Sequence, residues 1–185
     1  MTKAKMTKQE FERIPEKDRM NRVLTGTSYY AFVHNPDMKS AKKFNADPKF
    51  SIKLGLDDAG VAKAESYGLK VKPANEQIPM PWVEIKRTLK AGKELDKVRP
   101  EVVDSMQRAI PATILVGNQS TVSVKFGTGW YDTQGGGVTT YMWKVQVKKL
   151  VPYENNTDRS LDMDSEGFVV PDAASTTTAD QEFDL

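Results

Sequence analysis

The sequence predicts an all-β fold, and two observations indicate it. Residues 121–126 and 141–148 alternate apolar with polar side chains, which is typical of strands that bury one face. Three earlier runs are rich in β-branched and aromatic residues and predict further strands, at residues 28–34, 50–56 and 82–89. The body of the chain therefore contains five strand-like segments.

The last two strands are predicted to form a hairpin with a long glycine-rich connection. In the second strand, Tyr141 and Trp143 alternate in phase with the valines that follow, so we expect both rings in the core. The segment 127–137 contains five glycines, which predict a mobile loop. Trp130 and Tyr131 lie at the centre of that loop, where it would present them to solvent.

Helix and loop signals occupy the segments between the strands. Thr7 followed by Glu10 is a capping-box pattern and predicts a short helix near the N-terminus. Residues 57–68 predict a helix, because acidic residues at its start complement the helix dipole and a glycine would end it. Residues 100–111 are compatible with either a short helix or an edge strand. The other connections are predicted as loops, at residues 35–49, 73–81 and 91–100.

Composition excludes several function classes. The 185 residues include no cysteine, which rules out disulfides, thiolate zinc sites and cysteine nucleophiles and fits a reducing compartment. His34 is the single histidine, so a histidine-rich metal site has no basis, and we expect no cofactor. No apolar run approaches the roughly 18 residues that would span a bilayer, and the N-terminus lacks the apolar region of a signal peptide.

The net charge of +2 conceals two regions of opposite charge. Residues 154–185 contain nine acidic residues and one basic residue, so they carry −8 and residues 1–153 carry +10. The acidic segment has no hydrophobic periodicity, and we expect it to be disordered. The sequence thus predicts a basic arm at residues 1–27, a folded domain at residues 28–153 and an acidic tail at residues 154–185.

Five strands of this kind close most economically as a Greek-key barrel of the OB type, which binds single strands on its sheet face and loops. An SH3-like barrel or a small sandwich is also compatible with the composition. The residues then add a resemblance. The runs YYAFVHNPD (29–37), VGNQSTVSVKFGTGWY (116–131) and WKVQVKKLVPY (143–153), with the ending DQEFDL, are similar to phage-encoded single-stranded DNA-binding proteins.

This resemblance implies a protein that coats single-stranded DNA during phage replication and recombination in the cytoplasm of the infected bacterium. It implies an acidic tail that recruits replication proteins such as the polymerase or the primase–helicase, and it leaves a homo-oligomer open. The tail residues that would carry this contact are at the C-terminal end: Asp180, Glu182, Phe183, Asp184 and Leu185. Proteins of this family often end on an aromatic residue, whereas Phe183 is followed here by two more residues.

Single strands offer phosphates to lysines and unpaired bases to aromatic rings. The predicted outward faces and the hairpin loop supply both, in a candidate DNA-binding set of Tyr30, Phe32, Lys53, Trp82, Lys86, Lys125, Trp130, Tyr131 and Lys144. Each lysine has an alternative interpretation as a solubilising charge, and each aromatic ring as a core residue.

Two other functions are compatible with the sequence. A β-barrel adaptor would use the same surfaces for protein partners only. A metal-dependent nuclease would need converging carboxylates, for which the candidates are Asp57, Asp58, Asp104 and Asp132. RNA remains an alternative ligand, because stacking and phosphate contacts do not distinguish the sugars. The tail also has an alternative interpretation as a solubility segment.

Overall fold

The computed structural model describes residues 6–90 and 93–153. Within them, six strands form one sheet: β1 (Arg22–Phe32), β2 (Lys49–Gly55), β3 (Trp82–Thr88), β4 (Glu101–Val103), β5 (Thr121–Tyr131) and β6 (Gly137–Lys149). The helices of these residues are short: α1 (Lys8–Glu12), α2 (Glu16–Met20), α3 (Met38–Phe44), α4 (Asp58–Ser66) and α5 (Leu95–Val98), with one 3-10 turn (Thr133–Gly135) between β5 and β6. None of these helices has the length and apolar character needed to cross a membrane.

The sheet is curled, and its strand order is β3-β2-β1-β5-β6-β4. All pairings are antiparallel except that of β4 with β6, which is parallel. The curl brings β3 towards β6, where the Thr140 hydroxyl accepts a hydrogen bond from the Lys86 amide at 2.8 Å and donates to its carbonyl at 3.2 Å. The predicted all-β fold of the OB type is confirmed.

The core lies inside the curl and takes inward residues from all six strands. Leu24, Ile52, Ile85, Val124 and Val145 are at most 1% exposed. Each such aliphatic side chain contributes about 1.5–3 kcal/mol when it is fully buried. The alternation seen in the sequence therefore identifies the inward face of most strands correctly.

The predicted helix ends are also confirmed where the sequence contains a capping residue. Asp57 caps α4, because its carboxylate accepts a hydrogen bond from the Gly60 amide at 2.7 Å. Gly68 follows that helix with a φ of +75°, a conformation that glycine adopts without strain. Thr7 and Glu10 form the predicted capping box at α1.

Several segment predictions were wrong. β1 begins at Arg22, six residues before the predicted start. Residues 38–44 and 95–98, predicted as loops, form α3 and α5. In α3, Asp37 caps the first turn by accepting from the Ser40 amide at 3.0 Å, which is a signal present in the sequence. Residues 101–103 form the edge strand β4, which decides between the two alternatives left open there.

The largest corrections concern the hairpin. β5 continues through Trp130 and Tyr131, so both residues belong to a strand and the connection to β6 is only residues 132–136. A β-bulge also changes the register of the pair, which runs from Lys125 opposite Lys144 to Phe126 opposite Met142. The extra residue reverses the phase of β6, so Met142 enters the core and Tyr141 is exposed.

Candidate nucleic-acid interface

A basic cleft of about 1130 Å³ lies between β3 and the far end of the β5–β6 hairpin. Seven basic side chains line it against two carboxylates. The basic residues are Lys70, Lys72, Lys86, Arg87, Lys90, Lys93 and Lys97, and the acidic ones are Glu84 and Glu94. Such an excess of positive charge in a concave surface attracts a polyanion.

Three of the six lysines in the cleft are available to a ligand. Lys97 pairs with Glu94 at 3.1 Å, whereas Lys70, Lys90 and Lys93 form no ion pair with another described residue. All three are exposed, so their ammonium groups remain hydrated and can exchange water for phosphate oxygen.

Two tyrosines of the hairpin supply the aromatic part of the cleft. Tyr131 and Tyr141 are each 41% exposed, and both line it. Tyr141 packs across Gly129, and Tyr131 packs across Gly137, where an added Cβ would stand 2.9 Å and 2.7 Å from the nearest ring or hydroxyl atom of that tyrosine. The two glycines leave room for these rings, because a side chain at either position would displace the tyrosine that covers it.

Glu84 moderates the positive charge at the β3 wall. Its carboxylate accepts a 2.7 Å hydrogen bond from the Lys49 ammonium, and both side chains are largely removed from water. Burial by itself raises the pKa of Glu84, but the Lys49 hydrogen bond and the charges of Lys49, Lys86 and Lys72 outweigh it. The pKa of Glu84 therefore lies below its ordinary value, and the group is ionised at neutral pH.

The outer face of β1 and β2 continues from the cleft and carries three of the predicted site residues. Lys53 lies opposite Glu84, and its ammonium is 4.5 Å from the centre of the Tyr30 ring. Tyr30 and Phe32 are 36% and 38% exposed, so both rings are available for stacking. A bulge in β1 gives Tyr30 a φ of +49°, and the Asn118 side chain stabilises this turn of the backbone by accepting from the Tyr30 amide at 2.9 Å.

Trp82, in contrast, is buried. It packs with Tyr29, Ile78 and Met80 in a small apolar cluster on the outside of the sheet. The ammonium groups of Lys72 and Lys53 lie 4.3 Å and 5.1 Å from its ring, and its indole nitrogen has no hydrogen-bond partner among the described residues. The sequence did not indicate that residues 73–81 fold back over this face. Because they cover the Trp82 ring, it is not accessible for the predicted stacking on a base.

Trp130 contacts the N-terminal region of the protein. Its ring is 5.8 Å from that of Phe11, and its indole nitrogen donates to Asp132 at 3.1 Å. Trp130 lines one edge of the cleft, but Tyr131 and Tyr141 present the more exposed rings.

The predicted lysines divide into two groups. Lys86 lines the cleft, and Lys53 lies beside it. Lys125 and Lys144 lie opposite each other on β5 and β6, outside the cleft. Lys144 is paired with Glu101 at 2.8 Å and donates to Gln107 at 3.2 Å, so its charge already has a partner.

Three of the four carboxylates proposed for a nuclease have structural roles. Asp57 caps α4, Asp104 accepts from Arg108 at 2.7 Å, and Asp132 pairs with Lys8 at 3.0 Å. Within the described parts of the chain, no group of three or more histidines and carboxylates is arranged to hold a metal ion.

Sequence reasoning missed Tyr141 and most of the cleft lysines. The alternation pattern does not reveal the β-bulge, so it places Tyr141 on the wrong face of β6. Lys70, Lys72, Lys90 and Lys93 lie in connections rather than on strands, and only the curl of the sheet brings them to one surface.

This architecture is that of the single-stranded DNA-binding proteins of bacteriophages. The chain superposes on gp2.5, a single-stranded DNA-binding protein encoded by bacteriophage T7, with a TM-score of 0.53 and 17% identity, covering 77% of this chain and 97% of that one. It superposes on the single-stranded DNA-binding protein from bacteriophage Enc34 in complex with ssDNA with a TM-score of 0.54 and 13% identity, covering 73% and 90%. A second structure of the single-stranded DNA-binding protein from bacteriophage Enc34 gives a TM-score of 0.51 and 14% identity, covering 77% of this chain and 87% of that one.

No protein-family model and no curated protein sequence matches the chain. The resemblance to phage single-stranded DNA-binding proteins is thus confirmed through the fold.

Proposed function

We propose that this protein binds single-stranded DNA without reading its sequence. The observation that carries the proposal is the cleft between β3 and the hairpin, where exposed lysines face two exposed tyrosines. The outer face of β1 and β2 extends this surface through Lys53 to Tyr30 and Phe32. The fold shared with phage proteins whose names state this activity supports the same conclusion.

The chemistry of the cleft matches the two features that single strands have in common. Lysines contact phosphates and release counterions, which gives affinity that falls with salt. Tyrosine rings stack on bases at about 1–3 kcal/mol per base, and every base has a face to stack on. Neither contact distinguishes one base sequence from another, so the role is that of a non-enzymatic protein that coats the strand.

We extend the proposal to the wider role that the resemblance to phage single-stranded DNA-binding proteins implies. The protein coats and protects single strands during phage DNA replication and recombination, in the cytoplasm of the infected host. Its acidic tail, residues 154–185, competes with DNA for the basic surface and recruits replication proteins such as the polymerase or the primase–helicase. The tail lies outside the described residues, so its support is the charge of −8 against a body of +10.

Fluorescence anisotropy of a labelled dT oligomer tests the binding proposal. Trp82 is buried and Trp130 is packed on Phe11, so a labelled oligomer is a better probe than intrinsic tryptophan fluorescence. We expect binding whose log Kd changes with log salt by about 0.7 for each phosphate contacted. A lack of binding at low salt, with the protein folded, would favour an adaptor that binds only proteins.

The tail proposal needs a separate comparison. The full chain and a variant that ends at Tyr153 are titrated with the same oligomer across the same salt series. Competition by the tail predicts tighter binding by the shorter chain, with the difference shrinking as salt rises. Equal affinities at low salt would retain DNA binding and reject competition.

A further inference from the structure

The far end of the hairpin is fastened by the segment 6–20, here called the N-terminal clasp. Phe11 of α1 is 1% exposed and packs on Trp130, and the Arg19 guanidinium covers Phe11 with 5.0 Å to the ring centre. Lys8 pairs with Asp132 at 3.0 Å. Asp132 also accepts from the Trp130 indole, so these contacts form one connected group.

Further contacts of the clasp run along the hairpin. The Thr128 hydroxyl donates to the Arg19 carbonyl at 3.2 Å. Met20 lies beside Gly127, and Met6 lies beside Gly68 and Val138, at distances where an added Cβ on either glycine would meet the methionine sulfur at 2.7–3.0 Å. The clasp therefore covers the hairpin from its middle to its tip.

Trp130 connects the clasp to the cleft. Trp130 and Tyr131 are consecutive in β5, so their side chains leave opposite faces of the strand. The Trp130 ring packs on Phe11 of the clasp and lines one edge of the cleft, while Tyr131, with Tyr141 from β6, presents the more exposed rings there. Hydrogen bonds from β3 reach β6 at Thr140 and Met142, whereas the tip beyond them is fastened by the clasp.

We propose that the clasp is a positioning element of the DNA-binding site, with Phe11 and Trp130 as its central pair. It sets the distance between the hairpin tip and β3, and so aligns the two tyrosines with the cleft lysines. Trp130 is then a positioning residue rather than a stacking platform for a base. This inference rests on the proposed function of the cleft.

The test uses the absence of cysteine from the chain. Lys8→Cys and Asp132→Cys are introduced together with Phe11→Leu, which removes the ion pair and weakens the packing on Trp130. One sample is bridged across the cysteine pair with a short bifunctional maleimide. The matched control is the same protein with both cysteines capped by a monofunctional maleimide, which carries the same chemistry without a bridge.

We expect the capped form to bind a labelled dT oligomer about tenfold more weakly than the unmodified wild-type chain and the bridged form to recover most of that loss. The salt slope should stay the same in both forms, because the cleft lysines are intact and only stacking is misaligned. Equal affinities of the bridged and capped forms, with wild-type protein binding normally, would overturn the clasp proposal. If wild-type protein fails to bind, the proposed function itself is wrong.

Phe11 is fully buried, and its replacement could prevent folding. In that case the cysteine pair is placed in an otherwise unchanged chain and compared in the same bridged and capped forms. The expected difference is then about twofold to threefold, because an exposed ion pair contributes little on its own. Identical affinities of these two forms would again contradict the proposal.

Discussion

The two outer regions of the curled sheet carry similar residues in different surroundings. On the cleft side, lysines from β3 and its connections face exposed tyrosines across a concave surface. On the far side, Lys125 and Lys144 stand on β5 and β6 outside the cleft, and Lys144 is paired with Glu101. The two regions differ in the shape of the surface and in the aromatic side chains beside the lysines, and we therefore expect DNA to bind on the cleft side.

Substitution of the tyrosines should give the largest difference in dT affinity between the two regions. Replacing Tyr131 or Tyr141 by alanine should weaken dT binding by about tenfold each, since one stacked base contributes about 1–3 kcal/mol. Tyr153→Ala is the matched control, because Tyr153 is 53% exposed but lies outside the cleft. Equal effects of all three substitutions on the Kd would remove the distinction between the two regions.

The lysines should give the next largest effect. Lys86→Ala and Lys90→Ala should each weaken binding several-fold and lower the salt slope by about 0.7, as the loss of one phosphate contact does. Lys125→Ala and Lys144→Ala change the net charge equally and should leave the slope unchanged. A salt series for the four variants checks this, and a reduced slope for Lys125→Ala would extend the site to the far side.

Replacing Glu84 should strengthen DNA binding, in contrast to the lysine substitutions. Glu84→Gln removes one of two carboxylates from the cleft and should tighten dT binding by about twofold to threefold at low salt. Glu94→Gln serves as the comparison, since Glu94 is exposed and pairs with Lys97 at the rim. Unchanged or weaker binding by Glu84→Gln would mean that this carboxylate does not face the DNA.

The same residue predicts a pH dependence of stability. The folded-state pKa of Glu84 lies below the unfolded value of 4.5, so its contribution is present above pH 4.5 and is lost as the pH falls through the folded pKa. The free energies of unfolding of wild-type protein and Glu84→Gln, measured with urea across this acidic range, should therefore converge as the pH falls. A difference between them that does not change with pH would show that the Lys49–Glu84 ion pair contributes nothing.

Trp82 should give the smallest effect on binding. Trp82→Phe keeps the packing against Tyr29 and Ile78 and removes an indole nitrogen that has no hydrogen-bond partner within residues 6–90 and 93–153. Removing a buried donor that has no partner is favourable, and this gain offsets part of the packing lost with the smaller ring. We therefore expect a free energy of unfolding within about 1 kcal/mol of wild type. The Kd for dT should not change, and a tenfold weaker Kd would restore Trp82 to the site.

The sequence predicted the barrel because period-two alternation reports which face of a strand is buried. It predicted the ends of α4 because Asp57 and Gly68 act through local geometry. It failed at Tyr141, where a bulge changes the phase, and at Trp82, which residues 73–81 cover through contacts distant in sequence.

The lysines of the connections were missed for a related reason. A local pattern indicates which face of a strand is buried. Lys70 and Lys90, in contrast, line the same cleft only because the sheet curls. The sequence therefore predicted the kinds of residue that line the candidate site and only part of their positions.

Photocrosslinking tests the central claim most directly. A dT oligomer that carries photoreactive thymine analogues is bound to the full chain and irradiated, and the modified peptides are identified by mass spectrometry. We expect crosslinks on residues 129–141 of the hairpin and on β3, and we expect unlabelled dT to compete with them. Crosslinks confined to the face that holds Lys125 and Lys144 would contradict it.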